Sequence, residues 1–361
     1  MKRTLAYVNP DCYVDVDMTV LKHLSRAYEV IWYAVYYTDR PIYYDAEQMS
    51  DYAAQYGIRI RLCPRRYRQR DPRNLRFYNE IVRDINAQKA DLVYSCIAEE
   101  LYWTLASREL DAPRVLGLHD VRMHHFGNPL KRLIQSGIRE LTIKQSKYVC
   151  VFSKNQRELF TRIYRRDACQ LALGSRTLGP SQREIPAFSE GIRLLFFGNI
   201  VEYKGLDLLI SCLEKLRAEG VDNLSLTIAG AGEFWEICEP LMSTRQMYNP
   251  IIRFIGNDEI PDLMATHHFL VLPYRDATQS GPLTLALGYG VPVLAPAYGC
   301  FLEYCNDRSA VLYESLEEGL RRLASMCNDE YAVMRTQATR QGEAFSEESV
   351  ARKYIDFFNG I

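Results

Sequence analysis

Short apolar runs alternate with longer amphipathic stretches along most of the chain. The runs are rich in Val, Ile, Leu and aromatic residues and are closed by Gly, Pro, Asn, Asp or Ser, which is typical of strands buried in a parallel sheet. The predicted strands are residues 4–9, 28–36, 58–62, 90–96, 114–118, 148–153, 193–197, 224–229, 252–255, 269–272 and 291–294. Helical periodicity predicts helices at 18–27, 75–86, 130–147, 208–216, 282–289 and 347–358. This alternation predicts doubly wound α/β sheets, which bind ligands at the carboxyl ends of their strands.

One turn between a predicted strand and helix has the chemistry of an anion site. Residues 269–296 read FLVLPYRDATQSGPLTLALGYGVPVLAP, and the polar segment Thr278, Gln279, Ser280 and Gly281 precedes Pro282, a residue suited to the first turn of a helix. Free N–H groups and the helix dipole at that position favour a bound anion such as phosphate. A helix cap with nothing bound is the alternative.

A second strand-to-helix turn strengthens the phosphate interpretation. The strand 193–197 is followed by Gly198 and Asn199, and Lys204 lies just ahead of the next helix. A glycine at the strand end and a lysine before the helix add a fixed cation to the backbone donors.

Together these stretches resemble a known family. FFGNIVEYKGLDLLI at 196–210, followed by LPYRDATQSGPLTLALGYGVPVLAP at 272–296, is similar to the donor-binding domain of GT-B glycosyltransferases. The chain is identified on these motifs as a member of family 4 (group 1), the retaining nucleotide-sugar-dependent enzymes, in a branch with a TQSG turn. The resemblance implies an α/β fold with two Rossmann-like doubly wound domains facing each other across a cleft. We predict an acceptor-binding domain at 1–185, to which helix 345–361 returns, and a donor-binding domain at 186–344.

The resemblance also implies roles for individual residues. The donor diphosphate and sugar would contact Asn199, Lys204, Thr278, Gln279, Ser280 and Gly281. The nucleotide would lie against Gly230, Gly256, Asn257 and Glu303. His119 and Asp120 end the strand 114–118 and match the family's HD pair, in which the histidine contacts the transferred sugar or diphosphate. Asp120 would orient that imidazole or reach the acceptor hydroxyl.

The chain departs from the family pattern at several positions. Many members carry Glu-x7-Glu across the turn, and Ala277 and Leu285 occupy those two positions here. The loop 10–17 lacks the family's glycine pair. Its Asp15 and Asp17 would face an acceptor hydroxyl, or Asp17 would cap a helix. Asn199 stands where members often have arginine, so one of two usual cations is missing.

Composition limits the partners and the compartment. The ten cysteines form no CxxC pair and have no histidine at ligand spacing, so we expect reduced thiols in a cytoplasmic protein and no metal site. The chain contains neither a run of about 18 apolar residues nor a signal-peptide pattern at its start. Helix 130–147 is amphipathic, and we expect its apolar side, with Leu133, Ile134, Ile138 and Leu141, to face the core. The alternative is that its basic side joins the arginine-rich segment 59–76 against a membrane surface.

The net charge of −1 hides a basic segment at 59–76 with eight arginines and one acid. It is interpreted either as a solvated face or as a surface for anionic headgroups or a phosphate-bearing acceptor. The residues chosen for the second interpretation are Arg65, Arg66, Arg68 and Arg70. No nucleic-acid fold signature accompanies the segment, and we expect no nucleic-acid partner.

The sequence therefore predicts a hexosyltransferase that uses a UDP- or GDP-sugar, with no cofactor and no metal. Its acceptor would be a glycan or a lipid-linked glycan in surface-polysaccharide assembly, with peripheral contact to the inner face of the plasma membrane. Three alternatives remain open: a non-catalytic GT-B nucleotide-sugar-binding or scaffold protein, a basic nucleic-acid-binding α/β protein, and a GT-B epimerase or phosphorylase.

Overall fold

The computed structural model describes residues 2–38, 44–122 and 129–361. The chain forms two compact units, unit 1 at Met1–Gly174 with Glu347–Ile361 and unit 2 at Ser175–Ser346. The sequence placed the first boundary at 185, because the Gly-, Pro- and Ser-containing segment 173–189 reads as a linker. In the structure this segment bonds to unit 2: the Ser175 N–H donates to the Phe345 carbonyl at 2.8 Å, and Ser181 Oγ donates to Asp262 Oδ1 at 2.8 Å.

Unit 1 is a seven-stranded parallel sheet in the order β3-β2-β1-β4-β5-β6-β7. Its strands are β1 (Thr4–Pro10), β2 (Glu29–Tyr37), β3 (Arg59–Arg65), β4 (Leu92–Ser95), β5 (Arg114–Leu118), β6 (Tyr148–Val151) and β7 (Cys169–Gln170). Its helices are α1 (Val14–Ala27), α2 (Ala46–Gln55), α3 (Arg73–Ala87), α4 (Leu101–Ala106), α5 (Pro129–Gln145) and α6 (Lys154–Tyr164). The chain order reverses between β1 and β4, and this reversal places the ligand crevice of such a sheet at the carboxyl ends of these two strands.

Unit 2 is a six-stranded parallel sheet in the order β10-β9-β8-β11-β12-β13. Its strands are β8 (Ile192–Phe197), β9 (Leu224–Gly230), β10 (Tyr248–Ile252), β11 (Phe269–Val271), β12 (Val293–Pro296) and β13 (Ala310–Tyr313). Its helices are α7 (Leu206–Ala218), α8 (Trp235–Cys238), α9 (Ile260–Ala265), α10 (Gly281–Gly288), α11 (Phe301–Tyr304), α12 (Leu316–Ala324) and α13 (Asn328–Ala344). The reversal lies between β8 and β11, the strands that precede the two phosphate-type turns.

The last helix, α14 (Glu347–Asn359), belongs to unit 1 and packs on α1. Tyr354 and Phe358 place their rings 6.0 and 5.6 Å from the ring of Tyr94 in the sheet. The Tyr28 hydroxyl donates to Asn359 Oδ1 at 2.6 Å. Aromatic packing and this hydrogen bond hold the C-terminal segment on unit 1.

Two predicted strands are displaced in the structure. The run 252–255 was predicted as a strand, but the strand in the structure, β10, ends at Ile252. β10 contains Pro250, a residue more typical of turns, so its own sequence did not predict a strand. Proline is tolerated there because β10 is an edge strand. The strand predicted at 291–294 begins only at Val293. The two preceding residues still bond to α10, since the Val291 N–H donates to the Ala286 carbonyl and the Gly290 N–H donates to the Leu287 carbonyl.

The first half of helix α5 does not pack as the sequence predicted. Its buried positions are Arg139, Thr142 and Ile143. Leu133 and Ile134 are exposed. The expectation that its apolar side faces the core is therefore wrong for the first half of this helix. None of the helices in the described ranges is long and apolar enough to cross a membrane.

Candidate functional site

The turn that follows β8 in unit 2 presents a buried cation. Gly198 has a positive φ of 110°, which only glycine adopts readily, and a short 3-10 helix at Glu202–Lys204 follows it. Lys204 is 7% exposed, and its Nζ lies 3.0 Å from the position that a Cβ on Gly198 would occupy. Burial lowers the pKa of this ammonium to about 8. No carboxylate within the described residues forms an ion pair with it.

The turn before α10 is organised around Ser280. Its side chain accepts a hydrogen bond from the Leu283 N–H and so caps the helix. The Tyr274 hydroxyl lies 3.1 Å from Ser280 Oγ, and the Tyr274 ring lies 5.7 Å from Lys204 Nζ. Tyr274 thus contacts both turns, although no pattern in the sequence indicated a role for it.

The two turns are close because their strands are neighbours. β8 and β11 pair directly, so their carboxyl ends lie side by side. A Cβ on Gly205 would overlap the Pro273 carbonyl oxygen, which fixes glycine at this contact. The ring of Pro282 at the start of α10 also approaches Gly198, at 3.5 Å from its virtual Cβ. A buried ammonium and a helix N-terminus therefore border the same glycine, an arrangement suited to a diphosphate.

The other donor-side predictions have different environments. Gln279 keeps its amide oxygen and nitrogen out of solvent, with no hydrogen-bond partner among the described residues. Thr278 and Gly281 are partly buried, and Asn199 is exposed. All four lie on the two turns that the strand pairing brings together.

The nucleotide-side predictions lie at the ends of the next strands. Gly230, at φ 153°, packs so tightly against Gly198 that a Cβ would overlap the Gly198 carbonyl oxygen. The Gly256 N–H donates to Glu259 Oε1 at 3.0 Å, and Asn257 follows it, partly buried. Glu303 is a partly buried residue of α11.

Helix α11 begins beside the Ser280 turn, because the Cys300 N–H donates to the Ala277 carbonyl at 3.4 Å. The positions where the family pattern expects carboxylates are apolar and buried here. Ala277 and Leu285 are 4% and 1% exposed.

In unit 1, His119 lies between two aromatic rings. The ring of Tyr13 stacks on it at 4.2 Å with an interplanar angle of 5°, and the ring of Phe152 lies 4.3 Å away on the other side at 23°. Burial lowers the pKa of His119 to about 3. A pKa this low favours the neutral imidazole, which can donate and accept hydrogen bonds but carries no charge. The two stacking contacts hold the ring between Tyr13 and Phe152.

His119 and Asp120 line a cavity of about 260 Å³ at the carboxyl ends of β1, β4 and β5. Two ion pairs with buried arginines border the same cavity: Arg65 Nη1 lies 2.9 Å from Glu100 Oε2, and Arg139 pairs with Glu99. The cavity combines aromatic rings, arginine donors and carboxylate acceptors. This mixture suits the hydroxyl groups of a sugar better than a bare anion.

Arg65 was predicted to belong to a basic patch for an acceptor or a membrane surface, and its side chain is buried at the cavity and not on the surface. Arg65 is 3% exposed, donates to the Tyr78 hydroxyl at 3.0 Å, pairs with Glu100 and lies 4.1 Å over the ring of Tyr37. Its burial follows from its position as the last residue of β3, where the side chain turns into the cavity. Arg66, Arg68 and Arg70 are exposed.

Asp17 also differs from both sequence interpretations. It lies inside α1, is 3% exposed, and accepts hydrogen bonds at 2.8 Å from the Tyr7 hydroxyl and from Asn9 Nδ2. Desolvation raises its pKa to about 8. It is a buried core carboxyl and does not cap the helix, because the N-cap of α1 is Tyr13.

Comparison with known proteins shows a family to which most of unit 2 is similar. Residues 191–328 match the model of the family Glycosyl transferases group 1. A curated relative, the GDP-mannose:glycolipid 4-beta-D-mannosyltransferase of Xanthomonas campestris, is 29% identical over 107 residues, which are 29% of this chain and 30% of the relative. The aligned segment thus spans under a third of that relative. The resemblance to group 1 glycosyltransferases is confirmed over residues 191–328.

Solved structures confirm the fold. The crystal structure of HepE of Anabaena, in complex with UDP and glucose, superposes with a TM-score of 0.75 at 14% identity, covering 100% of both chains. Sucrose-phosphate synthase of Thermosynechococcus elongatus gives 0.75 at 11% identity and 99% of both chains. WaaG, a glycosyltransferase involved in lipopolysaccharide biosynthesis, gives 0.68 at 18% identity and covers 99% of this chain and 100% of its own. The α/β GT-B architecture with two Rossmann-like units is therefore the fold of this chain.

Proposed function

We propose that the chain transfers a hexosyl residue from a UDP- or GDP-sugar to a hydroxyl group of a glycan or lipid-linked acceptor. The observation that carries this proposal is the buried Lys204 ammonium beside Gly198 and the N-terminus of α10. A leaving nucleoside diphosphate gains negative charge as the glycosidic bond breaks, and fixed donors placed at that oxygen stabilise the transition state. The match of residues 191–328 to the group 1 family supports the same site.

In this proposal each of the two turns contributes different groups that bind the diphosphate. Lys204 supplies a full positive charge, and the free N–H groups of α10 supply the helix N-terminus. The Gln279 amide, which has no partner among the described residues, donates to a phosphate or sugar oxygen. Since these groups meet the charge of the leaving group, we expect transfer to proceed without a divalent metal.

Unit 1 would bind the acceptor at the cavity below His119. A neutral imidazole held between Tyr13 and Phe152 offers one N–H donor and one acceptor to a sugar hydroxyl. Asp120 on the same cavity is the candidate that receives the acceptor proton. The relative that acts on a glycolipid supports a lipid-linked acceptor, and with it transfer at the cytoplasmic face of the membrane in surface-glycan assembly.

Thermal-shift measurements with UDP, GDP, ADP and their sugar conjugates test the donor site. A ligand at a hundredfold excess over its Kd stabilises the native state by about 2.7 kcal/mol. We expect one nucleotide to raise the melting temperature of the wild type but not of Lys204→Ala. Lys215→Ala removes an exposed lysine of α7 that pairs with Glu317, and it is the matched control. Absence of a shift with every nucleotide would overturn the donor site.

The product of the reaction tests the stereochemistry. From the family resemblance we expect transfer with retention, which the anomeric proton couplings of the product determine. The name of the Xanthomonas campestris relative specifies GDP-mannose as the donor, so GDP-mannose belongs in the donor panel. Because the mannose of GDP-mannose is alpha-linked, the beta-D-mannosyl product of that relative is one of inversion, and the product of this chain must be determined directly. A product of inverted configuration would contradict retention while leaving the donor site intact.

A non-catalytic nucleotide-sugar-binding protein is the second candidate function. The buried apolar Ala277 and Leu285, at positions where the family pattern has carboxylates, favour it. It predicts nucleotide-sugar binding that depends on Lys204 but no release of nucleoside diphosphate with any glycan or lipid-linked acceptor. Sustained acceptor-dependent release would exclude it.

A further inference from the structure

A buried arginine from the first residues of unit 2 lies beside the N-terminus of α10. Arg176 is 9% exposed, and its Nη2 lies 3.7 Å from the position that a Cβ on Gly281, the first residue of α10, would occupy. Arg176 belongs to unit 2 but precedes residues 191–328, which match the family model. No motif in the sequence indicated a role for this arginine.

The main chain around Arg176 is fixed on α10. The Arg176 N–H donates to the Thr284 carbonyl at 3.1 Å, and a Cβ on Gly288 would overlap the Arg176 carbonyl oxygen. Two residues further on, the Leu178 N–H donates to the Tyr289 hydroxyl at 2.8 Å. The main chain therefore lies against the later part of α10, and the side chain reaches back to the first residue of this helix. Substituting the side chain leaves these main-chain contacts in place.

This position is electrostatically unusual for a cation. A helix N-terminus carries a partial positive charge and favours anions, whereas cations are favoured at the C-terminus. Arg176 borders the same helix end as Lys204, whose ammonium lies beside Gly198 and the ring of Pro282. Within the described part of the chain, two buried cations and the N–H groups of one helix thus meet at the start of α10. A bound phosphate group offsets a positive potential of this kind.

We propose that the Arg176 guanidinium binds the β-phosphate of the donor and stabilises it as the leaving group. The inference rests on the proposed transfer reaction, which places the leaving-group charge at Lys204 and α10, and it adds one donor-binding residue. The bond between the anomeric carbon and the β-phosphate oxygen breaks with its electron pair left on that oxygen, so the contact strengthens in the transition state. A guanidinium presents parallel N–H donors to two phosphate oxygens, whereas the Lys204 ammonium acts as a point charge.

Isothermal titration of the full chain with UDP and GDP, and with UMP and GMP, tests this contact phosphate by phosphate. Arg176→Gln removes the charge. We expect it to raise the Kd of the diphosphate that the wild type binds about tenfold and to change the Kd of the matching monophosphate less than about twofold. Arg176→Lys keeps the charge without the planar fork, and its diphosphate Kd should rise only about threefold. An equal loss for monophosphate and diphosphate would overturn the proposal, because a purely structural role predicts it.

Two further variants separate this inference from the donor site itself. Arg183→Gln is the matched control, because Arg183 is an exposed arginine of the same segment that pairs with Asp262 at 3.2 Å, and it should bind like the wild type. Lys204→Ala should lose diphosphate affinity whatever the role of Arg176. If Lys204→Ala loses affinity and Arg176→Gln does not, Arg176 has no such role and the donor site stands. If the wild type binds none of the four nucleotides, the donor site and this inference are both overturned.

Discussion

Arg275 and Asp207 form a two-fold hydrogen-bonded ion pair between the two turns of the candidate donor site. Arg275 Nη1 lies 2.8 Å from Asp207 Oδ1, and Nη2 lies 2.6 Å from Oδ2. Nη1 also donates to the Glu202 carbonyl at 2.6 Å, and the Arg275 N–H donates to the Tyr203 carbonyl at 2.7 Å. One residue of the Ser280 turn thereby fixes the short helix that carries Lys204, and we infer that it positions the lysine.

Arg275→Lys retains the positive charge but not the planar fork that holds Asp207 and Glu202 together. We expect the Kd of the donor nucleotide to rise about tenfold while the fold is kept, because Lys204 loses its fixed position. Isothermal titration with the nucleotide found by thermal shift measures this. Arg157→Lys is the matched control, since Arg157 forms an equivalent two-fold pair with Asp167 in unit 1. Equal losses for both variants would show that Arg275 has no specific positioning role.

The pKa of Lys204 gives the donor site a predicted pH dependence. Burial lowers this pKa to about 8, and a bound diphosphate would raise it again. Below pH 8 the ammonium is already charged, so affinity should be constant; above pH 8 the free protein must take up a proton on binding. Affinity should then fall by up to about tenfold per pH unit. Titrations from pH 7 to 9 measure this slope.

Lys204→Met is the control for this pH dependence. It should bind more weakly at every pH and show no break near pH 8. A wild-type profile without a break, or a break that persists in Lys204→Met, would assign the dependence to another group.

The sequence predicted the class of the fold and the two donor-side turns, because both depend on local patterns. Strand-like runs, the glycine at 198 and the cap at Ser280 can each be identified from a few neighbouring residues. The pairing of β8 with β11 follows from the doubly wound fold, so the approach of Lys204 to α10 was also predictable.

What remained unpredicted depends on side-chain packing between segments distant in sequence. No local sequence pattern indicates that Arg275 pairs with Asp207. The same is true of the stacking of Tyr13 and Phe152 on His119 and of the burial of Arg65 against Glu100. The exposed side of α5 was mistaken for a core side because periodicity identifies an apolar stripe but not what covers it.

The enclosed imidazole of His119 should not titrate in the physiological range. Burial lowers its pKa to about 3, so its ring resonances should keep the neutral chemical shifts from pH 5 to 8. Nitrogen–proton correlation spectra measure this, and the signal is assigned by its loss in His119→Asn. Tyr13→Ala opens one side of the stack and should bring the midpoint closer to the usual value near 6.5. A midpoint near 6.5 in the wild type would contradict a neutral buried imidazole.

The buried carboxyl of Asp17 should make unit 1 less stable as the pH rises. Its pKa is raised from 3.8 to about 8 by desolvation. Between these values the unfolded chain has released the proton and the folded chain still holds it, so the free energy of unfolding falls with increasing pH. Below pH 4 and above pH 8 both states carry the same charge at this group, and it adds no further slope. One carboxyl oxygen, Oδ2, is buried without a hydrogen-bond partner, which also favours the protonated form.

Asp17→Asn tests this, because asparagine has the shape of the protonated carboxyl and can still accept from Tyr7 and Asn9. We expect the difference in the free energy of unfolding, variant minus wild type, to increase by at least about 1 kcal/mol as the pH rises from 4.5 to 7.5. Denaturant unfolding followed by the fluorescence of Trp32 and Trp103, both buried in unit 1, measures the difference at each pH. Asp51→Asn, at an exposed position of α2, should show none of this pH-dependent gain. A difference between Asp17→Asn and wild type that stays constant across this range would mean that Asp17 is ionised in the folded protein at neutral pH.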